Sequence, residues 1–299
     1  MSTQVFAVPG RRTALLTRIG DYVELSKPKI LLMMLACVGA MAYLADAAPL
    51  AIANGLLGIG LVAAGAAAMN HYLERTVDAS MERTANRPLP AGRITGGEAV
   101  TIGLMAPLLG LTFLAITVNG TTAMLSGLTW ALYVFVYTPL KTRTPANTWV
   151  GAIAGAMPAL SGWAISGRPF GLLAVTLFLV LFLWQFPHFM AIAWIYRHQY
   201  RMAGMRMLSV VDATGLRAGA LAVSSALILI PVALVPALLP LAGSPWIYSI
   251  WALALGVGQF VCAVTFLVAR NQQTARWLLG ASLVYLPALL LLLILVTPV

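Results

Sequence analysis

Nine apolar runs punctuate the chain, at 28–46, 51–70, 98–118, 121–139, 148–166, 170–195, 216–239, 247–269 and 277–297, and nearly every charged side chain falls between them. A helix needs about 20 apolar residues to cross a hydrocarbon core, and each run is close to that length. The runs are rich in Leu, Ala, Gly and Met and lack the ten-residue alternation of an outer-membrane barrel. The pattern predicts an all-α integral membrane protein with nine transmembrane helices. Residues 1–27 read as a cytoplasmic N-terminal tail and 28–299 as one intramembrane domain. Arg11, Arg12 and Arg18 precede the first span without an apolar run of their own, so no cleavable signal peptide is expected.

Composition agrees: 61% of residues are hydrophobic and only 9% charged. The net charge of +10 would suggest a nucleic-acid partner if it lay on one soluble face. It lies instead on alternate loops. Of the 18 Lys and Arg, only Arg168 falls on the opposite side from the rest. The positive-inside rule then places the N-terminus in the cytoplasm and the C-terminus outside, with no nucleic acid as partner. Cys37 and Cys262 sit in separate spans and give neither a disulfide framework nor a zinc pattern.

Charge becomes informative at residues 70–93, NHYLERTVDASMERTANRPLPAGR. The chain has eight acidic residues, and Glu74, Asp78 and Glu82 fall within nine positions. If the second helix continues past the membrane surface, Asn70, Glu74 and Asp78 lie four apart, each step turning roughly 40° and rising about 6 Å, so the three share a face. An amide and two carboxylates suit a hard divalent cation that also keeps water and phosphate ligands. The same spacing also fits a solvated helix end, with the acids paired to Arg75, Arg83 and Arg87. Pro88 and Pro90 then stop any helix, leaving fixed cations beside the acidic face, where a diphosphate is the obvious guest.

N-x-x-x-E-x-x-x-D followed by MERTANRPLPAGR resembles the first signature of the UbiA superfamily of intramembrane prenyltransferases. The resemblance implies a UbiA-type helical bundle in which Asn70, Glu74 and Asp78 are the catalytic, metal-facing residues for Mg2+, with Arg83 and Arg87 beside the diphosphate. Glu74 stands where many members have Asp. YTPLKTRTPANT (137–148) and WQFPHFMAIAWIYRHQYRMAGMRMLSVV (184–211) are similar to the branch of that superfamily that farnesylates haem. That branch implies farnesyl diphosphate and haem b as substrates, haem O and diphosphate as products, a haem A synthase as a downstream partner, and a lipid bilayer as the setting. It implies a multi-pass protein of a prokaryotic cell membrane with its catalytic loops on the cytoplasmic side. Lys141, Arg143 and Arg197 join the expected diphosphate-binding residues, and His188 and Trp184 are expected at the haem.

The sequence departs from the family at RHQY, where His198 and Gln199 replace expected acidic residues and put a second metal in doubt; Asp212 is the only carboxylate nearby. Two other readings remain open at this stage: prenylation of another aromatic acceptor such as 4-hydroxybenzoate, and a non-catalytic transporter or lipid-binding protein.

Overall fold

The computed structural model describes residues 11–239 and 243–296. The start of the expected tail, Pro240 and the end of the last expected span lie outside the described residues. Among the described residues every regular element is helical. α1 (Arg11–Leu25) bends by 55° into α2 (Pro28–Leu44). The corner is Lys27, left-handed at φ 54°, and Pro28 follows at the first helical position, where a missing N–H costs nothing. α1 is no free tail. Its Leu25 packs with Ala68, Leu89, Ile94 and Ala99, Arg93 holds Asp21 at 2.7 Å and Glu24 at 3.0 Å, and Arg18 pairs with Glu98.

α3 (Pro49–Ala79) has 31 residues. At 1.5 Å per residue it is roughly 45 Å long, against a hydrocarbon core of about 30 Å, so its last turns emerge as the sequence predicts. It lies against α4 (Gly96–Thr117), which starts at a Thr95/Glu98 capping box. Small residues bring the two backbones together: a Cβ added at Gly110 would stand 2.7 Å from the Gly58 carbonyl oxygen.

α5 (Gly120–Ala131) widens into a π-helical stretch, Leu132–Tyr137, before the short α6 (Thr138–Leu140). Pro139 has no N–H to give the ladder, and the Thr138 hydroxyl donates to the Tyr133 carbonyl at 2.9 Å. α7 (Asn147–Ala164) is buried along most of its length. Its Gly151 and Gly155 seat side chains rather than a helix backbone, since added Cβ atoms would meet the Tyr137 ring at 2.6 Å and Gln185 Oε1 at 2.1 Å.

α8 (Leu172–Ile195), the short α9 (Arg197–Met202) and α10 (Leu208–Val211), then α11 (Leu216–Leu234), α12 (Pro245–Ala269) and α13 (Gln272–Val296) complete the bundle. Among the described residues seven helices are long and apolar enough to cross a membrane, or eight if α1 and α2 form one bent span. α7 is not among them, because Asn147, Thr148 and three glycines dilute its apolarity. It is buried along most of its length, with Trp149 and Ile153 exposed on one stripe.

Candidate active site

The C-terminal end of α3 carries polar groups that ordinarily belong in water. Asn70 is 0%, His71 1%, Glu74 7% and Asp78 1% exposed, whereas Glu82, beyond the helix end, is exposed. Two of the three clustered acids therefore face inward. After Ser80 the chain folds back in turns. Arg87 reaches Asp78 at 2.7 Å, and the Thr84 hydroxyl donates to the Asp78 carbonyl at 2.8 Å.

The other cations come from distant segments. Lys141, just after α6 and 9% exposed, forms an ion pair with Glu74 at 2.7 Å and lies over the Tyr137 ring at 4.6 Å. Asn70 donates from Nδ2 to Thr138 Oγ1 at 3.0 Å and accepts at Oδ1 from Lys27 Nζ. The π-helical stretch thus sets both partners, turning Thr138 to Asn70 and Lys141 to Glu74. Burial pushes the Lys27 ammonium down to about 7 against the pull of Glu74. For Lys141 burial acts the same way, but the Glu74 carboxylate outweighs it and the ammonium pKa is raised. Ion pairs this buried return little net stability, because desolvation consumes most of their attraction. His71 lies two turns deeper on nearly the same stripe as Asp78, with both ring nitrogens enclosed and unpartnered.

Two loops beside this cluster clasp each other. The Arg206 N–H donates to the Lys141 carbonyl at 2.7 Å. Asn147 Nδ2 donates to the carbonyls of Arg206 at 3.0 Å and Thr144 at 2.6 Å. Tyr200 on α9 packs inward with Met81, Ala193 and Met205.

The structure brings Asn70, Glu74, Asp78, Arg87 and Lys141 together. Arg83 and Arg143 are exposed at the rim, with Arg83 lying over the Tyr196 ring at 5.0 Å. The Arg197 guanidinium lies over the Trp194 ring at 4.0 Å and lines a cavity that includes neither Glu74 nor Asp78. Trp184 and His188 stack at 4.9 Å deeper in α8 and both bind α13, His188 Nδ1 to Ser282 Oγ at 2.9 Å and Trp184 Nε1 to the Ser282 carbonyl at 2.7 Å. Asp212 caps α11, accepting from the Thr214 hydroxyl at 2.6 Å and the Arg217 N–H at 2.7 Å. His198 is exposed, while Gln199 encloses an unpartnered Oε1. Lys27 is the site residue that sequence reasoning missed. Its only signal was a lysine fixed before a proline at the mouth of the first span.

A helical bundle with a buried acid–amide face under basic loops defines an intramembrane enzyme that handles an anionic head group. Residues 31–296 match the UbiA prenyltransferase family, and the chain belongs to that family. It is 41% identical over 300 aligned positions to the protoheme IX farnesyltransferase of Koribacter versatilis, covering 96% of each chain. It is 39% identical over 279 positions to the protein of the same name from Solibacter usitatus, covering 89% of this chain and 95% of that one. Among solved structures, a digeranylgeranylglyceryl phosphate synthase superposes with a TM-score of 0.77 at 18% identity, over 93% of this chain and 98% of the other. A UbiA homologue from Archaeoglobus fulgidus bound to GPP and Mg2+ gives 0.67 at 16% identity, over 91% of this chain and 99% of its own.

Proposed function

We propose that the chain transfers the farnesyl group of farnesyl diphosphate to a vinyl group of haem b, with addition of water, to give haem O and diphosphate. The observation that carries this reading is the buried face of Asn70, Glu74 and Asp78, each held by a cation or polar group from another segment. Identity to farnesyltransferases over almost the whole chain supports the choice of substrates.

The donor set fits Mg2+. Among the described residues no three His, Cys, Asp or Glu converge on a metal site, so the ligands would be the Glu74 and Asp78 carboxylates and the Asn70 amide oxygen, hard donors beside a diphosphate. Bound there, Mg2+ neutralises charge on the departing diphosphate. Lys141 and Arg87 then exchange their carboxylate partners, and Lys27 its Asn70 amide oxygen, for phosphate oxygens, with Arg83 and Arg143 adding charge at the rim. Arg197 is not in this set. His71, with both ring nitrogens buried and unpartnered, offers a further polar group deeper in the face.

The allylic C–O bond breaks and its electron pair leaves with diphosphate. The vinyl π electrons form the new C–C bond at farnesyl C1. Water closes the remaining cation at the carbon next to the macrocycle and loses a proton. Helix packing keeps bulk water from the first cation. His188 commits Nδ1 to Ser282, leaving Nε2 as the nitrogen that would meet haem iron beside Trp184.

The proposed topology has nine spans, α7 among them, with the N-terminus in the cytoplasm and the C-terminus outside. Arg168 and Asp46 pair in connections at the opposite end of the helices from the acidic face, as that arrangement expects. The test is chromatography with mass detection of haems from membranes given haem b, farnesyl diphosphate and Mg2+. A haem heavier by a farnesyl group plus water is expected. Unmodified haem with folded protein and both substrates present would overturn the acceptor, and prenylation of 4-hydroxybenzoate instead would replace it.

A further inference from the structure

α9 has two sides. Tyr200 packs inward against Met81, and on the other side Arg197, His198 and Arg201 share a cavity of about 480 Å3 with Ile195, Ala213 and Gln272. Gln272 ties α13 to the end of α8 through the Ile195 carbonyl at 3.2 Å, and Trp194 lies beneath the Arg197 guanidinium. No carboxylate lines this cavity. Asp212, the acid nearest in sequence, is taken up in capping α11. Two guanidiniums and an imidazole thus share this cavity with no carboxylate among its lining residues.

We propose that this cavity binds the carboxylates of the acceptor, the propionate edge of haem. The inference rests on haem as the acceptor. It gives the protein two anion sites with different duties, diphosphate on the inner side of α9 and carboxylates on the outer. Guanidinium forks suit carboxylates, while Ile195 and Ala213 supply apolar surface for the macrocycle edge. The vinyl groups of haem b lie on the edge opposite its propionates, so anchoring the acids leaves the reactive edge directed elsewhere. An anionic lipid head group offers the same charge chemistry, and the test separates the two.

Haem b and its dimethyl ester are titrated by the Soret band shift into the protein and into the Arg197→Gln/Arg201→Gln variant, in vesicles of phosphatidylcholine with and without phosphatidylglycerol. The unaltered protein is expected to bind haem b roughly 10- to 100-fold more tightly than the ester, the scale of hydrogen bonds to charged groups. The variant is expected to lose that preference, mainly through weaker haem b binding, and to retain binding of farnesyl thiodiphosphate, which also reports that it is folded. Equal affinity for acid and ester in the unaltered protein overturns the proposal. So does a variant that keeps the preference, or one whose only change is a lost response to phosphatidylglycerol, which would assign the cavity to lipid. Direct binding separates this from the reaction: haem b bound with the expected preference but never farnesylated would sink the proposed function and leave the cavity standing.

Discussion

The C-terminal end of α3 and the middle of α8 both bury polar side chains, but they satisfy them differently. At α3 the partners are full charges brought from Lys27, Arg87 and Lys141. At α8, Trp184 and His188 bind a carbonyl and a hydroxyl of one residue on the adjacent helix, and Gln185 donates to the Ala152 and Leu181 carbonyls. The second arrangement is ordinary helix cement. The first has no stabilising rationale of its own, since equal volumes of apolar side chain would do as well or better. A charge cluster that adds little to stability is retained for something that binds there.

The difference can be tested in order of expected effect. Asp78→Ala should lower haem O formation at least about 10²-fold, as removal of a group that stabilises developing charge does; undiminished product by mass detection would remove the metal assignment. Lys141→Met leaves Glu74 buried without its cation and should cost about 3–5 kcal/mol in thermal or denaturant unfolding in detergent. Adding Glu74→Gln should restore most of that stability and none of the activity. If it restores nothing, the pair was not the cause.

Asn147→Ala deletes two hydrogen bonds of the loop clasp and should cost about 1–3 kcal/mol, with weaker binding of a farnesyl diphosphate analogue by isothermal titration. Unchanged analogue binding would show that the clasp does not shape the site. Ser282→Ala is the smallest change, about 0.5–1.5 kcal/mol, with analogue binding unaltered. A loss of analogue binding as large as that of Asp78→Ala would erase the contrast between the two regions.

Much of this was legible in the chain. Apolar runs placed the long helices, and four-residue spacing put Asn70, Glu74 and Asp78 on one buried face because a helix that outlasts the membrane keeps its period. Three things were not legible, each decided by tertiary contact. The π-helical widening before Pro139 leaves no apolar periodicity to read, yet it aims Thr138 and Lys141. Arg197 looks like its neighbours in sequence, and only the fold sets its guanidinium over the Trp194 ring. The first segment was expected as a tail because charged residues near a terminus usually are solvated. Here Asp21, Glu24 and Arg18 find partners beyond the second span.

Those partners set an order of assembly. Asp21 and Glu24 pair with Arg93, Arg18 pairs with Glu98, and Lys27 meets Asn70, separations of 43 to 80 positions. A growing chain must therefore insert α2 and α3 and begin α4 before the ion pairs of α1 have partners. The charged side chains of α1 are made early and paired late, once the chain has passed Glu98.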